Sequence, residues 1–307
     1  MSHIDVLVTC YNYGRYLREC VESVLAQSHR DVRVLIVDDA STDNTSLICA
    51  ELVAQDPRVE VLRHMVNWGH ITTYNECIDL AHDDHMLLLS ADDFLLPGAL
   101  ARAAEVLDAQ PDVGLVHGAW LTYRAGDRLP DPASDTPKAE RLDAAWFIER
   151  LAFGNYVSTA TAVVRTSVQK QLGGYRPDLP HAGDLEMWLR FALHSKVAYI
   201  AEKQAAYRHH DSNMSLKYGR VSDIEQCVDS FRLHYKDIRR TLPNGMILEA
   251  RIRRLFAAKQ REAAHILRRQ GQGSLMLRLQ SLRGNLHALA LKLLAKFETQ
   301  PHSRPLR

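Results

Sequence analysis

Short, mostly apolar runs alternate with amphipathic stretches through the first hundred residues of this chain. The runs 34–37 and 86–89 have the pattern of strands buried on both faces of a parallel sheet, and 4–9, 32–37 and 59–62 also read as strands. Within 16–27, Leu17, Cys20, Val21, Val24 and Leu25 recur at helical spacing. Ser41-Thr42-Asp43 offers an N-cap for a helix over 45–54. Residues 71–81 read as another helix. Pro97-Gly98 opens a further one to about Ala109, with proline in the first turn. Strands and helices thus alternate with right-handed crossovers. The expectation is an α/β fold with a mostly parallel twisted sheet flanked by helices.

The pattern loosens after residue 110. Residues 113–117, 159–165 and 197–201 read as strands. Leu185, Trp188, Leu189 and Ala192 share one face of a helix over 184–194. The stretch 124–141 is rich in Pro, Asp, Ala and Lys and reads as a loop, either surface decoration or a lid. From Arg220 the chain is helical. Leu275, Leu279, Leu282, Leu286, Leu289 and Leu293 recur at spacings of four and three, a heptad-like seam with Arg278, Arg283, Lys292 and Lys296 around it. Such a helix docks on the body, joins a partner helix, or lies on an anionic membrane surface. Residues 299–307 are expected to fray. The expected division is 1–218 as the α/β domain and 219–307 as a basic helical C-terminal extension.

Charge sharpens that division. The formal net charge is +1, from 38 basic and 37 acidic residues. From Arg220 onward there are 18 basic and 7 acidic residues, against 20 and 30 before it. An acidic body thus carries a basic tail. The five cysteines are odd in number and lack metal-ligand spacing, which argues against structural zinc or a disulfide framework. A reducing compartment fits them. With neither a signal-like N-terminus nor a membrane-length apolar run, the expected location is cytoplasmic. The 275–297 helix adds the option of peripheral contact with the inner face of the membrane, or of helix-mediated oligomers. No nucleic-acid partner is expected.

Two acidic pairs carry the chemistry. Asp38-Asp39 and Asp92-Asp93 each close an apolar run, about 54 residues apart. Carboxylates just past buried parallel strands lie at the edge where open α/β sheets bind ligands. Adjacent carboxylates repel, and a hard divalent cation bridging to a phosphate relieves that repulsion.

Six motifs in order now resemble one family. They are Val8-Thr9-Cys10-Tyr11-Asn12-Tyr13 with Ser23 to Ser28; Val37-Asp38-Asp39-Ala40-Ser41-Thr42-Asp43; Asn67-Trp68-Gly69 with Asn75; Ser90 to Gly98; Gly173-Gly174-Tyr175 with Gly183 to Arg190; and Tyr207-Arg208-His209-His210. Together they resemble the family 2 glycosyltransferases of the GT-A fold over about residues 4–218. The resemblance implies an inverting transferase. It would move a sugar from a nucleoside-diphosphate donor, with UDP or dTDP favoured, to a hydroxyl of a glycan or lipid-linked saccharide.

It also implies roles. Asp39, with Thr9 beside it, would accept the ring N–H of the base, while Asp38 serves as a turn residue. Tyr11, Asn67, Asp93 and Arg208 would contact the donor. Asp92 and His210 would hold Mn²⁺ or Mg²⁺, with Ser90 where the family's first acid stands. Asp184 would be the base that takes the acceptor proton. Glu186, about 200° further round the helix, would face away. Trp68, His70, Trp120 and Asn155 could line the sugar or acceptor pockets. Two rivals remain: a nucleotidyltransferase, and a sugar-nucleotide-binding protein with a degraded site. Thr9 to Arg15 contains only Gly14, unlike a glycine-rich phosphate loop, which counts against the nucleotidyltransferase.

Overall fold

The computed structural model describes residues 2–271, 273 and 275–298; the tail expected to fray, 299–307, lies outside the described residues. The first half follows the expected alternation. Strands β1 (Ile4–Cys10), β2 (Val32–Asp38), β3 (Val59–Arg63) and β4 (His85–Ser90) are linked by helices α1 (Gly14–Leu25), α2 (Thr45–Gln55) and α3 (His70–Leu80). They pair in parallel in the order β3-β2-β1-β4. Alternate residues of β1 feed opposite layers. Val6 and Val8 pack with Leu17, Val21 and Leu100, whereas Leu7 packs with Leu35, Leu88 and Phe147.

The second half adds β5 (Phe94–Leu95), α4 (Ala99–Ala109), β6 (Val113–Tyr123), β7 (Ala139–Leu142), α5 (Ala144–Phe153), β8 (Val163–Arg165), α6 (Thr166–Leu172), α7 (Gly183–His194) and β9 (Lys196–Arg208). β8 runs antiparallel between β4 and β6, and β6 pairs in parallel with β9. β6 and β9 outrun their sequence estimates because only their first halves are continuously apolar. Beyond Gly118, β6 alternates half-buried and exposed side chains.

Other boundaries also moved. Residues 159–161 form a 3-10 turn rather than strand. Helix α5 was not anticipated, although Asp143 caps it by accepting the Trp146 N–H at 2.8 Å. Pro97 precedes α4 rather than opening it. Gly98 is the cap, at φ 77°, a left-handed conformation that suits glycine. The stretch 124–141 lies outside the cleft described below. It is tied down by the buried Arg102, which donates to the Ser134 and Pro97 carbonyls at 2.9 Å.

Three long helices follow: α8 (Arg220–Thr241), α9 (Gly245–Arg269) and α10 (Leu275–Glu298). α8 and α9 complete the layer under the sheet. Ile224, Val228, Phe231 and Phe256 join one cluster with Trp188 and Leu189 of α7. Phe231 is fully buried, so truncating it to alanine should cost about 3–5 kcal/mol. α10 lies along α9 through small residues: Ser281 donates to the Ala257 carbonyl at 2.7 Å, and Ala288 and Leu291 pack on Ala250. Leu279, Leu282, Leu286, Leu289 and Leu293 of the seam are exposed on the other side. No helix among the described residues is long and apolar enough to cross a membrane.

Candidate active site

Strand register brings the acidic pairs to one rim. Thr9 lies opposite both Val37 and Ser90, so the chain after β2 and the chain after β4 leave the sheet on either side of Thr9. The backbone turns sharply here. Asn12 and Ala40 adopt left-handed conformations at φ 58° and 62°. Two short bonds hold that turn, from the Asn12 N–H to Ser41 Oγ and from the Thr42 N–H to Asn12 Oδ1, both 2.8 Å. Such conformations carry strain in non-glycine residues and cluster at functional sites.

The two residues of the first acidic pair do different things. Asp38 is buried under the turn, where Oδ1 accepts the Ser41 N–H at 2.9 Å and Arg63 lies 3.3 Å from Oδ2. Asp39 faces the cleft and also organises the loop before α3. Its Oδ1 accepts from the Trp68 N–H at 2.8 Å, and its Oδ2 from the Gly69 N–H at 2.9 Å. His64 bridges Asp39, at 2.8 Å, and Glu76, at 2.6 Å. Burial disfavours charge on His64, but these two carboxylates outweigh it and raise its pKa.

The second acidic pair meets β9. Asp92 Oδ2 lies 3.1 Å from His210 Nε2. The imidazole is held from three sides: Ser212 Oγ is 2.9 Å from Nδ1, Tyr16 stacks on the ring at 4.9 Å, and Tyr13 meets it edge-on. Asp93 lines the cleft, but its Oδ1 accepts the Arg208 backbone N–H at 2.9 Å. Burial, then the neighbouring Asp92 carboxylate, pushes the Asp93 pKa well up. Arg208 departs from expectation. Its guanidinium donates to the Asp92 carbonyl at 2.8 Å and to Glu19 at 2.6 Å, against the rings of Tyr16, Phe94 and Tyr123. Enclosed there, it is not part of the cleft wall; it braces the backbone that presents Asp92.

The donor set of Asp92 and His210 suits a divalent ion. One carboxylate oxygen and one imidazole nitrogen already converge, and hard oxygens from a diphosphate and water can complete the shell. Ser90 adds a neutral hydroxyl rather than a charge. A second acidic group, Asp5, His82 and Asp83, also brings three ligand atoms within 4.8 Å of one another. It lies at the opposite end of β1. Asp5 there accepts from Arg33 at 2.6 Å and from the His82 and Asp83 N–H groups at 2.6 and 2.9 Å. Those bonds account for it as a structural knot.

Asp184 stands in the first turn of α7 and faces the same cleft. Its Oδ2 accepts from Thr159 Oγ1 at 2.8 Å. Burial raises its pKa, while hydrogen bonds from Thr159 and Tyr175 and the nearby His70 and His181 hold the rise down. Tyr74 is pushed up first by burial, then by Asp184, Asp92 and Asp93 in turn, so all three acids act on one phenol. Glu186 faces elsewhere, bonded to Arg190 and His234 at 2.8 Å each. Gly173 adopts a left-handed conformation at φ 81°, and Gly174 has a steric reason. Asn75 accepts the Tyr175 N–H at 2.6 Å and donates to its carbonyl at 3.0 Å. A Cβ on Gly174 would lie 2.5 Å from Asn75 Oδ1.

The cleft encloses about 970 Å³, at the upper end of the range for small-molecule sites. Thr9, Tyr11, Asp39, Asn67, Asp92, Asp93 and Asp184 all line it, as do His70, Trp120 and Asn155. Trp68 does not; it stacks on His64 at 4.2 Å. Tyr74, Thr159 and Tyr175 were not anticipated. Tyr74 lies one helical turn after His70, so their shared face was readable in principle. Thr159 had no signal, because its turn read as strand. The C-terminal helices were also unanticipated as cleft walls. Asp223 and Cys227 of α8 and Lys259 of α9 reach it, and Asp223 pairs with His181 at 3.0 Å.

Residues 5–158, half of the chain, match the family model described as glycosyl transferase family 2. The chain belongs to glycosyl transferase family 2. Glycosyltransferase GlyG of Streptococcus pneumoniae serotype 4 is 32% identical over 124 residues, which are 40% of this chain and 41% of GlyG. The putative glycosyltransferase EpsE of Bacillus subtilis is 25% identical over 61% of this chain and 66% of its own length. The match thus spans about two-fifths of GlyG and two-thirds of EpsE. S. aureus TarS 1-349, solved with UDP-GlcNAc, superposes with a TM-score of 0.66 at 15% identity, over 98% of this chain and 93% of TarS. The mannosyltransferase PcManGT of Pyrobaculum calidifontis, solved with GDP-Man and Mn²⁺, gives 0.58 at 17% identity, over 97% and 88%. At these identities the likeness is one of fold, and the fold is the GT-A type.

Proposed function

We propose that this family 2 member is an inverting glycosyltransferase that uses a nucleoside-diphosphate sugar and a hydroxyl acceptor. One observation carries the reading: Asp39, Asp92 and Asp184, from three separate parts of the chain, line a single large cleft, and His210, from a fourth, lies 3.1 Å from Asp92. A carboxylate oxygen of Asp39 can accept a pyrimidine ring N–H, which favours UDP or dTDP. Thr9, Tyr11 and Asn67 border the same end. Asp92 and His210 would hold Mn²⁺ or Mg²⁺, which when bound offsets the charge of the leaving diphosphate. Asp93, tied to β9, would support that end rather than bind sugar, and Arg208 would act only by bracing it.

The chemistry then follows from Asp184. The acceptor oxygen attacks the anomeric carbon as the bond to the diphosphate oxygen breaks. The electron pair leaves on the nucleoside diphosphate. The acceptor proton passes to Asp184, whose raised pKa makes it a stronger base than an exposed aspartate. One displacement with one base inverts the carbon. Residues 1–218 carry these groups, while α8 and α9 close the acceptor side through Asp223, Cys227 and Lys259. The acceptor class is a glycan or lipid-linked saccharide.

Thermal shift with Mn²⁺ and a panel of nucleoside diphosphates tests this reading. Stabilisation by UDP or dTDP that needs Mn²⁺, and that Asp39→Ala abolishes, is expected. A shift with none of the panel would refute it.

A further inference from the structure

Helix α10 has two unlike faces. Ser281, Ala288, Leu291 and Ala295 are buried, and this face packs on α9. At about 100° per residue, Leu279, Leu282, Leu286, Leu289 and Leu293 fall on the opposite side. These five leucines are 50 to 61% exposed, and Met276 is exposed beside them. Large apolar side chains aligned in this way on a surface mark an interaction site. Strict spacing of three and four would suit a helix of a second copy. The charges argue otherwise. Arg278, Arg283 and Lys292 flank the face, and no acid occurs between residues 275 and 297. A second copy would bring cations against cations, whereas an anionic surface complements both the stripe and its flanks.

We propose that the outward leucine face of α10 docks this protein on an anionic lipid surface, with the leucines entering the headgroup boundary and the flanking cations meeting lipid phosphates. α9, on which α10 rests, also carries Lys259 into the cleft wall, so one helix links the lipid-facing surface to the cleft. The proposal does not depend on the transferase reading, and its test reads binding alone.

Cosedimentation of the full chain with large vesicles tests it. One set is phosphatidylcholine alone; the other contains about one-quarter phosphatidylglycerol. Binding to the second set only, weakening as salt rises, is expected. Leu282→Asp with Leu286→Asp should lower binding by roughly tenfold or more, with circular dichroism and melting unchanged. Arg278→Glu with Arg283→Glu, at exposed positions, should remove the preference for anionic vesicles. No vesicle binding, equal binding to both sets, or binding unaffected by the leucine changes would overturn the proposal. So would a dimer in sedimentation that the leucine changes dissociate, since that assigns the face to a second copy.

Discussion

Asp92 Oδ2 and His210 Nε2 meet at 3.1 Å although 118 residues separate them in the chain. The contact joins the end of β4 to the end of β9, and Arg208, two residues before His210, clamps the Asp92 carbonyl. Replacing His210 with alanine removes one of two converging donors. Mn²⁺ affinity in the presence of UDP should fall by about tenfold or more, read by calorimetry or manganese EPR. Ser212→Ala, which frees the far nitrogen of the ring and one exposed bond from Arg15, should have a smaller effect of the same sign.

Thr159 favours the charged form of Asp184. Its hydroxyl donates to the carboxylate, which favours the ionised form and opposes the upward push of burial. A base must be deprotonated, so activity should rise with pH through the Asp184 pKa, at a pH above the ordinary aspartate value of about 3.9. Thr159→Val removes the donor. The acid limb of the pH–rate profile should then move to higher pH, with the alkaline side unaffected.

His64 links the site to stability. Its folded pKa is raised by Asp39 and Glu76. The stabilisation it brings is therefore complete below its unfolded pKa of about 6.5 and fades as pH climbs through the folded value. His64→Gln should melt below the parent at pH 6, and the gap should shrink on the alkaline side. A gap that widens with pH would mean that the imidazole is held neutral.

Gly174 tests the packing behind Asp184. A Cβ there would press on Asn75 Oδ1, which is committed to the Tyr175 N–H. Gly174→Ala should destabilise by about 1–3 kcal/mol in urea unfolding. Asn75→Ala with Gly174→Ala should recover part of that loss.

Much of the site's rim is legible because buried parallel strands advertise themselves. Continuous apolar runs ending at Asp38 and Asp92 locate β2 and β4, and parallel pairing forces their ends together beside Thr9. What a side chain does at that edge is less legible. Asp38 and Asp39 are adjacent and chemically identical, and only the turn geometry separates a buried cap from a cleft-facing carboxylate. Arg208 reads as a donor contact from its motif. A cation's direction is set by tertiary neighbours, here Glu19 and three rings. The leucines of α10 show the same limit. Their spacing announces a seam, but the packing on α9 goes to the small residues on the other side, because Ser281 and Gly284 allow close approach to the α9 backbone.

The direct test of the account is Asp184→Asn, assayed by nucleoside diphosphate release from UDP- and dTDP-sugars and by calorimetry of UDP with Mn²⁺. The amide keeps the shape and the Thr159 contact but cannot take a proton. Turnover should fall by about 10²- to 10⁴-fold while UDP affinity stays within about threefold of the parent. Turnover close to the parent's, with nucleotide binding intact, would contradict the assignment of Asp184 as the base.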